Sequence, residues 1–163
     1  MAAQRIVSLL ASATEMLFGL GLGDHVVGVS HECDYPAEVA HRPRLTFTNI
    51  QAEATSGDID RQVHAMLAAG EPLYQVDAKR LAELEPDLVV TQAQCDVCAV
   101  RYADVVAAIE SQPGLQQAKI VALNPANLKD VFADIRQSAQ TAGVPDGGEQ
   151  YVQSLLDRVA AAQ

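Results

Sequence analysis

All three cysteines of the chain lie in two short polar clusters, His31-Glu32-Cys33-Asp34-Tyr35-Pro36 and Gln92-Ala93-Gln94-Cys95-Asp96-Val97-Cys98. Such residues support several chemistries. Zinc takes tetrahedral nitrogen and sulfur ligands, and His31, Cys33, Cys95 and Cys98 would supply four, two of them from one Cys-x-x-Cys turn. Alternatively Cys95 and Cys98 form a disulfide or a redox pair with Cys33 left free, although the turn lacks the aromatic and proline neighbours of a thioredoxin-type helix start. A third reading leaves three reduced thiols lining a cleft. An odd number of cysteines cannot all pair within one chain, so a disulfide-stapled secreted domain is not the pattern.

Each cluster directly follows an apolar run, His25 to Ser30 (HVVGVS) and Asp87 to Thr91 (DLVVT). Apolar residues on consecutive positions are expected of strands covered on both faces. In a parallel sheet the loops after different strands emerge at the same carboxyl edge, so clusters about sixty residues apart meet there.

The remaining elements fit that sheet. Arg5 to Leu10 is a third apolar run, and Ser12-Ala13-Thr14-Glu15 has the Ser-x-x-Glu spacing of a helix capping box. Met16, Leu17, Leu20 and Leu22 give the helix that follows an apolar face, and Gly19, Gly21 and Gly23 end it. The stretch from Pro36 to Ser56 is irregular, with a weak β-like run from Leu45 to Thr48. Helical spacing recurs over Asp58 to Ala69, Asp77 to Leu84, Tyr102 to Glu110 and Leu128 to Ala142, and Lys119 to Leu123 reads as another strand. Repeated β-then-α order predicts an α/β fold, a three-layer Rossmann-like lobe with a mainly parallel sheet and helices on both faces. Residues 1–145 form that lobe. Residues 146–163 form a carboxyl-terminal helix, whose Tyr151, Val152, Leu155, Leu156 and Val159 share one face that reads as lacking its packing partner.

Composition narrows the function. With 163 residues, 49% of them apolar, the chain can fill one core. A net charge of -10 and only 11 scattered Lys and Arg argue against nucleic acid or an anionic membrane as partner. No apolar stretch approaches the ~20 residues that span a bilayer. No basic-apolar-cleavage leader opens the sequence, so it reads as cytoplasmic as written, or as periplasmic or extracellular if a leader has been removed. Neither a nucleophile elbow nor a phosphate loop is present, and Gly19-Leu20-Gly21-Leu22-Gly23 closes a helix rather than opening one, which favours a non-enzyme.

Ile6 to Glu15 (IVSLLASATE), Val26 to Pro36 (VVGVSHECDYP), Leu84 to Val90 (LEPDLVV) and Ile120 to Asn124 (IVALN) together resemble the amino-terminal lobe of cobalamin-binding and siderophore-binding proteins of ABC importers. The resemblance covers nearly the whole chain. It implies two α/β lobes joined by one long helix, with ligand in the cleft between them and little hinge motion. Leu155 to Gln163 would fall at or just before that linking helix, so a single lobe presents half a cleft.

The implied solute is cobalamin, a related corrinoid or another metal chelate, and Tyr35 matches the tyrosine of the family's Asp-Tyr-Pro. An aromatic ring on a cleft wall can cover a flat macrocycle. His31 is the candidate axial ligand to cobalt. Ser12 and Thr14 resemble the family's first cleft loop; Glu32 and Asp34 flank the same motif, and Gln92 and Gln94 could hydrogen-bond amide side chains of a corrinoid. His25, His41 and His64 lack a motif and read as exposed. Where permease-docking relatives carry an exposed glutamate, the aligned residue is Lys79, a sign reversal that opposes such docking. The unfinished face of the last helix makes a homodimer the other partner to consider.

Overall fold

The computed structural model describes residues 3–51 and 53–162. Four parallel strands form the central sheet: β1 (Ile6–Ser8), β2 (Val26–Val29), β5 (Leu88–Gln92) and β6 (Lys119–Leu123), in the order β2-β1-β5-β6. Every residue of β1 and β5 is buried. Side-chain alternation divides the core in two. On one face Ile6, Leu88, Val90, Val121 and Leu123 pack with Leu17 of α1 (Ala11–Gly19) and with Phe132 and Ile135 of α5 (Leu128–Ala142). On the other, Val7 and Val89 meet Leu81 of α3 (Ala78–Glu83) and Val105 and Ile109 of α4 (Tyr102–Glu110). This is the expected three-layer α/β lobe.

Chain direction across the sheet reverses between β1 and β5, because β2 lies to one side of β1 and the later strands to the other. At such a switch point the loops after the two central strands part, leaving a crevice at the carboxyl ends.

A small two-stranded antiparallel sheet stands beside it, made of β3 (Thr46–Thr48) and β4 (Tyr74–Val76), with α2 (Ser56–Ala68) between them in sequence. Sequence patterning places a strand near β3 and none at β4, whose residues are all half-buried. Just before β3, the Val29 N–H donates to Pro43 O at 3.0 Å and the Leu45 N–H to Val29 O at 2.9 Å, so this segment runs parallel to β2. The β3–β4 pair therefore projects past the carboxyl edge of the main sheet.

The start of α1 corrects the capping-box reading. The helix opens at Ala11 with Leu10 at its N-cap and no side-chain cap, so Ser12 sits inside the first turn. By contrast Thr55 and Asn127 accept the backbone N–H groups of Asp58 and Asp130 and cap α2 and α5. Gly143 ends α5 in the left-handed conformation, with φ 81°, as that sequence position requires.

The last helix, α6 (Pro145–Ala161), begins one residue before the sequence reading and covers its own lobe. Tyr151, Val152 and Leu155 join the core that contains α1 and α5, which corrects the unpartnered face; Leu156 and Val159 stay exposed. Two glycines permit the close approach. The Tyr151 ring occupies the space a Cβ on Gly19 would need, and a Cβ on Gly148 would stand 2.5 Å from that of Ala139. Gln163, assigned to this helix by its sequence, lies outside the described residues.

Gly148→Val is expected to lower stability by about 1–3 kcal/mol through overpacking. Gly147→Ala, whose added methyl meets nothing nearer than 4.0 Å, is expected to raise it by about 0.4–1 kcal/mol. Denaturant unfolding of the pair measures whether α6 docks in this manner.

Candidate ligand-binding site at the carboxyl edge

Two adjoining hollows open at the switch point. One, of about 370 Å³, lies among Leu10, Ser12, Met16, Gln94, Leu123 and Pro125; the other, of about 310 Å³, lies among Leu9, Ser30, His31, Glu32 and Tyr74. Leu10, Cys98 and Ala99 line both and form the ridge between them. The loops after β1, β2, β5 and β6 all contribute, as the sheet topology demands.

Cys95 and Cys98 are joined by a disulfide. Neither sulfur is then a thiolate, and among the described residues no group of three or more His, Cys, Asp or Glu side chains is arranged to hold a metal ion. The four-ligand zinc reading on His31, Cys33, Cys95 and Cys98 is thereby corrected, and so is the reading of three reduced thiols.

Gln92, the last residue of β5, is buried and fastens the disulfide loop. Its Nε2 donates to Cys95 O at 2.7 Å and Val100 O at 3.3 Å, while its Oε1 accepts from the N–H groups of Gln94 at 2.7 Å and Cys95 at 2.8 Å. Both donors and both acceptor positions of this amide are engaged within its own loop, while Gln92 also lines the larger hollow. Gln94 is exposed, lines the larger hollow and donates to Pro125 O at 2.9 Å, tying the β5 loop to the β6 loop.

Cys33 is buried beneath the β2 loop, its Sγ 3.1 Å from Thr14 Oγ1. Thr14 is fully buried as well, with its hydroxyl 2.8 Å from Ser8 Oγ. Both are thus removed from the cleft, against the expectation for Thr14. Burial pushes the Cys33 thiol up, only partly offset by the Thr14 hydroxyl, the Ser30 backbone bond and the Arg44 charge.

The His31 loop is held from below. The Arg44 guanidinium donates to Ser30 O at 3.0 Å and to Cys33 O. Thr46 Oγ1 accepts the His31 N–H at 3.0 Å and lies 2.7 Å from His31 Nδ1 and 3.0 Å from Ser30 Oγ. The imidazole is thus oriented from its Nδ1 side, with Nε2 shielded and 3.0 Å from Glu32 Oε1, off the line of a hydrogen bond. The Tyr74 ring lies 5.6 Å away. For Nε2 to bind a metal, Nδ1 must carry the proton and donate it to Thr46 Oγ1, an outer-shell arrangement that this geometry permits.

Tyr35 and Asp34 are exposed, Tyr35 by 64%, and line neither hollow. Yet Tyr35 belongs to a pattern. Phe47 on β3, Val97 in the disulfide loop, and Tyr102 and Leu128 at the starts of α4 and α5 are also exposed, all at this edge. Apolar groups gathered around a crevice mark a binding face. Leu10, Met16, Ala99 and Tyr74, all half-buried, are functional candidates that polar motifs do not reveal; for Leu10 and Ala99 the signal is an apolar residue in a loop after β1 or β5.

The chain is 26% identical over 153 residues to the uncharacterized ABC transporter substrate-binding lipoprotein YvrC of Bacillus subtilis (strain 168), which covers 94% of this chain and 37% of that protein. It is 28% identical over 100 residues to the vitamin B12-binding protein of Yersinia pestis (strain Pestoides F), covering 53% and 36%. Among solved structures, the periplasmic vitamin B12 binding protein BtuF of Vibrio cholerae superposes with a TM-score of 0.66 at 20% identity, covering 98% of this chain and 49% of that one. The periplasmic heme-binding protein RhuT from Roseiflexus sp. RS-1 gives 0.64 at 25% identity, covering 98% and 49%. No protein-family profile matches the chain. It spans less than half the length of these curated relatives and about half of each solved structure. The first of these relatives is an ABC transporter substrate-binding lipoprotein by name, and the two solved structures are periplasmic binding proteins; no helix among the described residues is long and apolar enough to cross a membrane.

Thiol counting checks the sulfur chemistry. The native protein is expected to show no rapidly reacting thiol at pH 8, one after denaturation and three after denaturation with a reductant. Two or more fast thiols in the native state would contradict the disulfide and the burial of Cys33.

Proposed function

We propose that this chain, a homologue of the ABC-transporter substrate-binding proteins, forms one wall of a solute site for a metal-chelating macrocycle, with cobalamin or a related corrinoid as the solute. The observation that carries the reading is the apolar ridge of Leu10 and Ala99 between two hollows at the switch point. A broad, flat solute gains most from such a surface by laying one apolar face on the ridge. Polar groups then meet its rim. Ser12 and Gln94 stand on one side and His31 and Glu32 on the other, placed to exchange hydrogen bonds with peripheral amides, while Tyr35 and Asp34 flank the opening.

In this reading residues 1–145 are the binding lobe, and α6 leads toward a linking helix while covering the lobe's own core. One wall buries one face of the solute, so it binds more weakly than a closed pocket that encloses most of its ligand. His31 meets the rim; to serve instead as an axial group its shielded Nε2 has to turn out from beside Glu32 while Nδ1 keeps Thr46. Lys79, exposed at the start of α3, brings positive charge to any permease contact made there. The vitamin B12-binding relative and the heme-binding neighbour both support a macrocyclic chelate, and cobalamin is the member that the curated sequence match favours.

Leu10→Asp separates binding from folding, because an aspartate at the N-cap can accept the orphan N–H groups that α1 leaves uncapped. Wild type is expected to bind cyanocobalamin saturably in equilibrium dialysis, in preference to hemin. The variant is expected to fold normally and bind at least roughly tenfold more weakly, since its carboxylate loses solvation under the solute. An unchanged affinity in the variant would overturn the placement of the solute on the ridge.

A further inference from the structure

The Cys95–Cys98 disulfide lies in the solute crevice itself. Cys95 is half-buried and lines the larger hollow, while Cys98 is exposed and lines both. Exposed disulfides are open to attack by a thiol, whereas structural ones are shielded from it. The third cysteine takes no part. Cys33 is buried beside Thr14, and burial pushes its thiol up, away from the reactive thiolate form.

The place of the bond in its loop decides what breaking it does. The Gln92 amide pins the turn at both ends, through Gln94 and Cys95 on one side and Val100 O on the other. Between those pins the disulfide draws residue 98 back to residue 95, with their Cα atoms 5.5 Å apart. Asp96, Val97 and Cys98 are all exposed, so packing does little to replace the bond. A crosslink of such short sequence separation adds less closure entropy to the whole fold than a long-range one, and Val89, Val100 and Val105 beneath it belong to the apolar core. Opening the disulfide therefore frees residues 96–99 and leaves the lobe folded. Ala99, one half of the ridge, is freed with them.

We propose that Cys98 is a thiol-exchange site through which a dithiol reductant gates the solute ridge. A thiolate of the reductant attacks Cys98 Sγ, the S–S bond breaks, and the Cys95 sulfur leaves as a thiolate that takes a proton. The second thiol of the reductant then attacks the mixed disulfide and releases Cys98. Two electrons pass to the protein, and the reductant departs as its own disulfide. In the oxidised form Leu10 and Ala99 make one ordered bed; in the reduced form that bed must be re-ordered each time solute binds. The inference rests on the macrocycle reading. By reciprocity the solute protects the form that binds it better, so a solute covering Cys98 also opposes reduction.

The first part of the test needs no solute. The native chain is treated with dithiothreitol, and its thiols are trapped with N-ethylmaleimide and located by mass. Labels are expected on Cys95 and Cys98 with Cys33 unlabelled, and hydrogen exchange is expected to quicken over residues 93–100 while β1 and α6 hold. The Cys95→Ser/Cys98→Ser variant, which needs no reductant, is then compared with the oxidised chain in equilibrium dialysis. With β1 and α6 equally protected, it is expected to bind cyanocobalamin roughly three- to tenfold more weakly, the scale of re-ordering a short loop segment. Saturating cyanocobalamin is expected to slow reduction of the oxidised chain. A bond that dithiothreitol opens only with denaturant, or equal affinity of the variant and the oxidised chain, would overturn the gate and leave the solute reading intact. Absence of binding by the oxidised chain would overturn the solute reading and the gate with it.

Discussion

The pairing of β1 with β5 is the constraint on which the site depends. Ile6, Val7 and Ser8 stand opposite Leu88, Val89 and Val90 with no slippage, and the Leu9 N–H continues the ladder to Val90 O at 2.8 Å. That register brings the loop after β1 beside the loop after β5, although some eighty residues separate them in sequence. A shift of one residue would turn the buried faces outward and separate Leu10 from Ala99. Flanking bonds extend the same discipline: Ser30 N–H to Ser8 O at 2.9 Å beside β2, and Ala93 N–H to Leu123 O at 2.9 Å beside β6.

Above this edge the loops are stiffened by polar side chains whose hydrogen bonds are spent within the lobe. Thr14, Ser8 and Cys33 form one buried group under the β2 loop, Arg44 and Thr46 hold the His31 segment, and the Gln92 amide fastens the disulfide turn. A macrocycle docking on the ridge would find its contacts already ordered, so less of its binding energy is spent on freezing loops. The residues left to face outward are Leu10, Ala99 and Met16, with Ser12, Gln94, His31 and Glu32 at the rim.

The α/β framework was legible because uninterrupted apolar runs such as Val26–Val29 and Leu88–Val90 demand cover on both faces, and because Gly143 marks a helix end. The β3–β4 pair was not, since Tyr74–Val76 is three residues long and half-exposed, so its pairing depends on a partner remote in sequence. Thr14 and Gln92 misled for the same reason. A polar side chain at a helix start or a strand end looks available in one dimension, and only tertiary packing shows that Thr14 is fully buried or that the Gln92 amide is consumed by its own loop. The Cys-x-x-Cys spacing admits a metal knuckle and a disulfide alike; bringing Cys33 to Thr14 rather than to the other sulfurs separates them.

The central claim is that a macrocyclic solute lies on the carboxyl edge at the switch point. Hydrogen exchange measured with and without cyanocobalamin addresses it most directly. The claim predicts slowed exchange in the four loops after β1, β2, β5 and β6, with α6 and the opposite end of the sheet unchanged. Protection confined to α6 or to the amino edge, with the four loops unaffected, would contradict it.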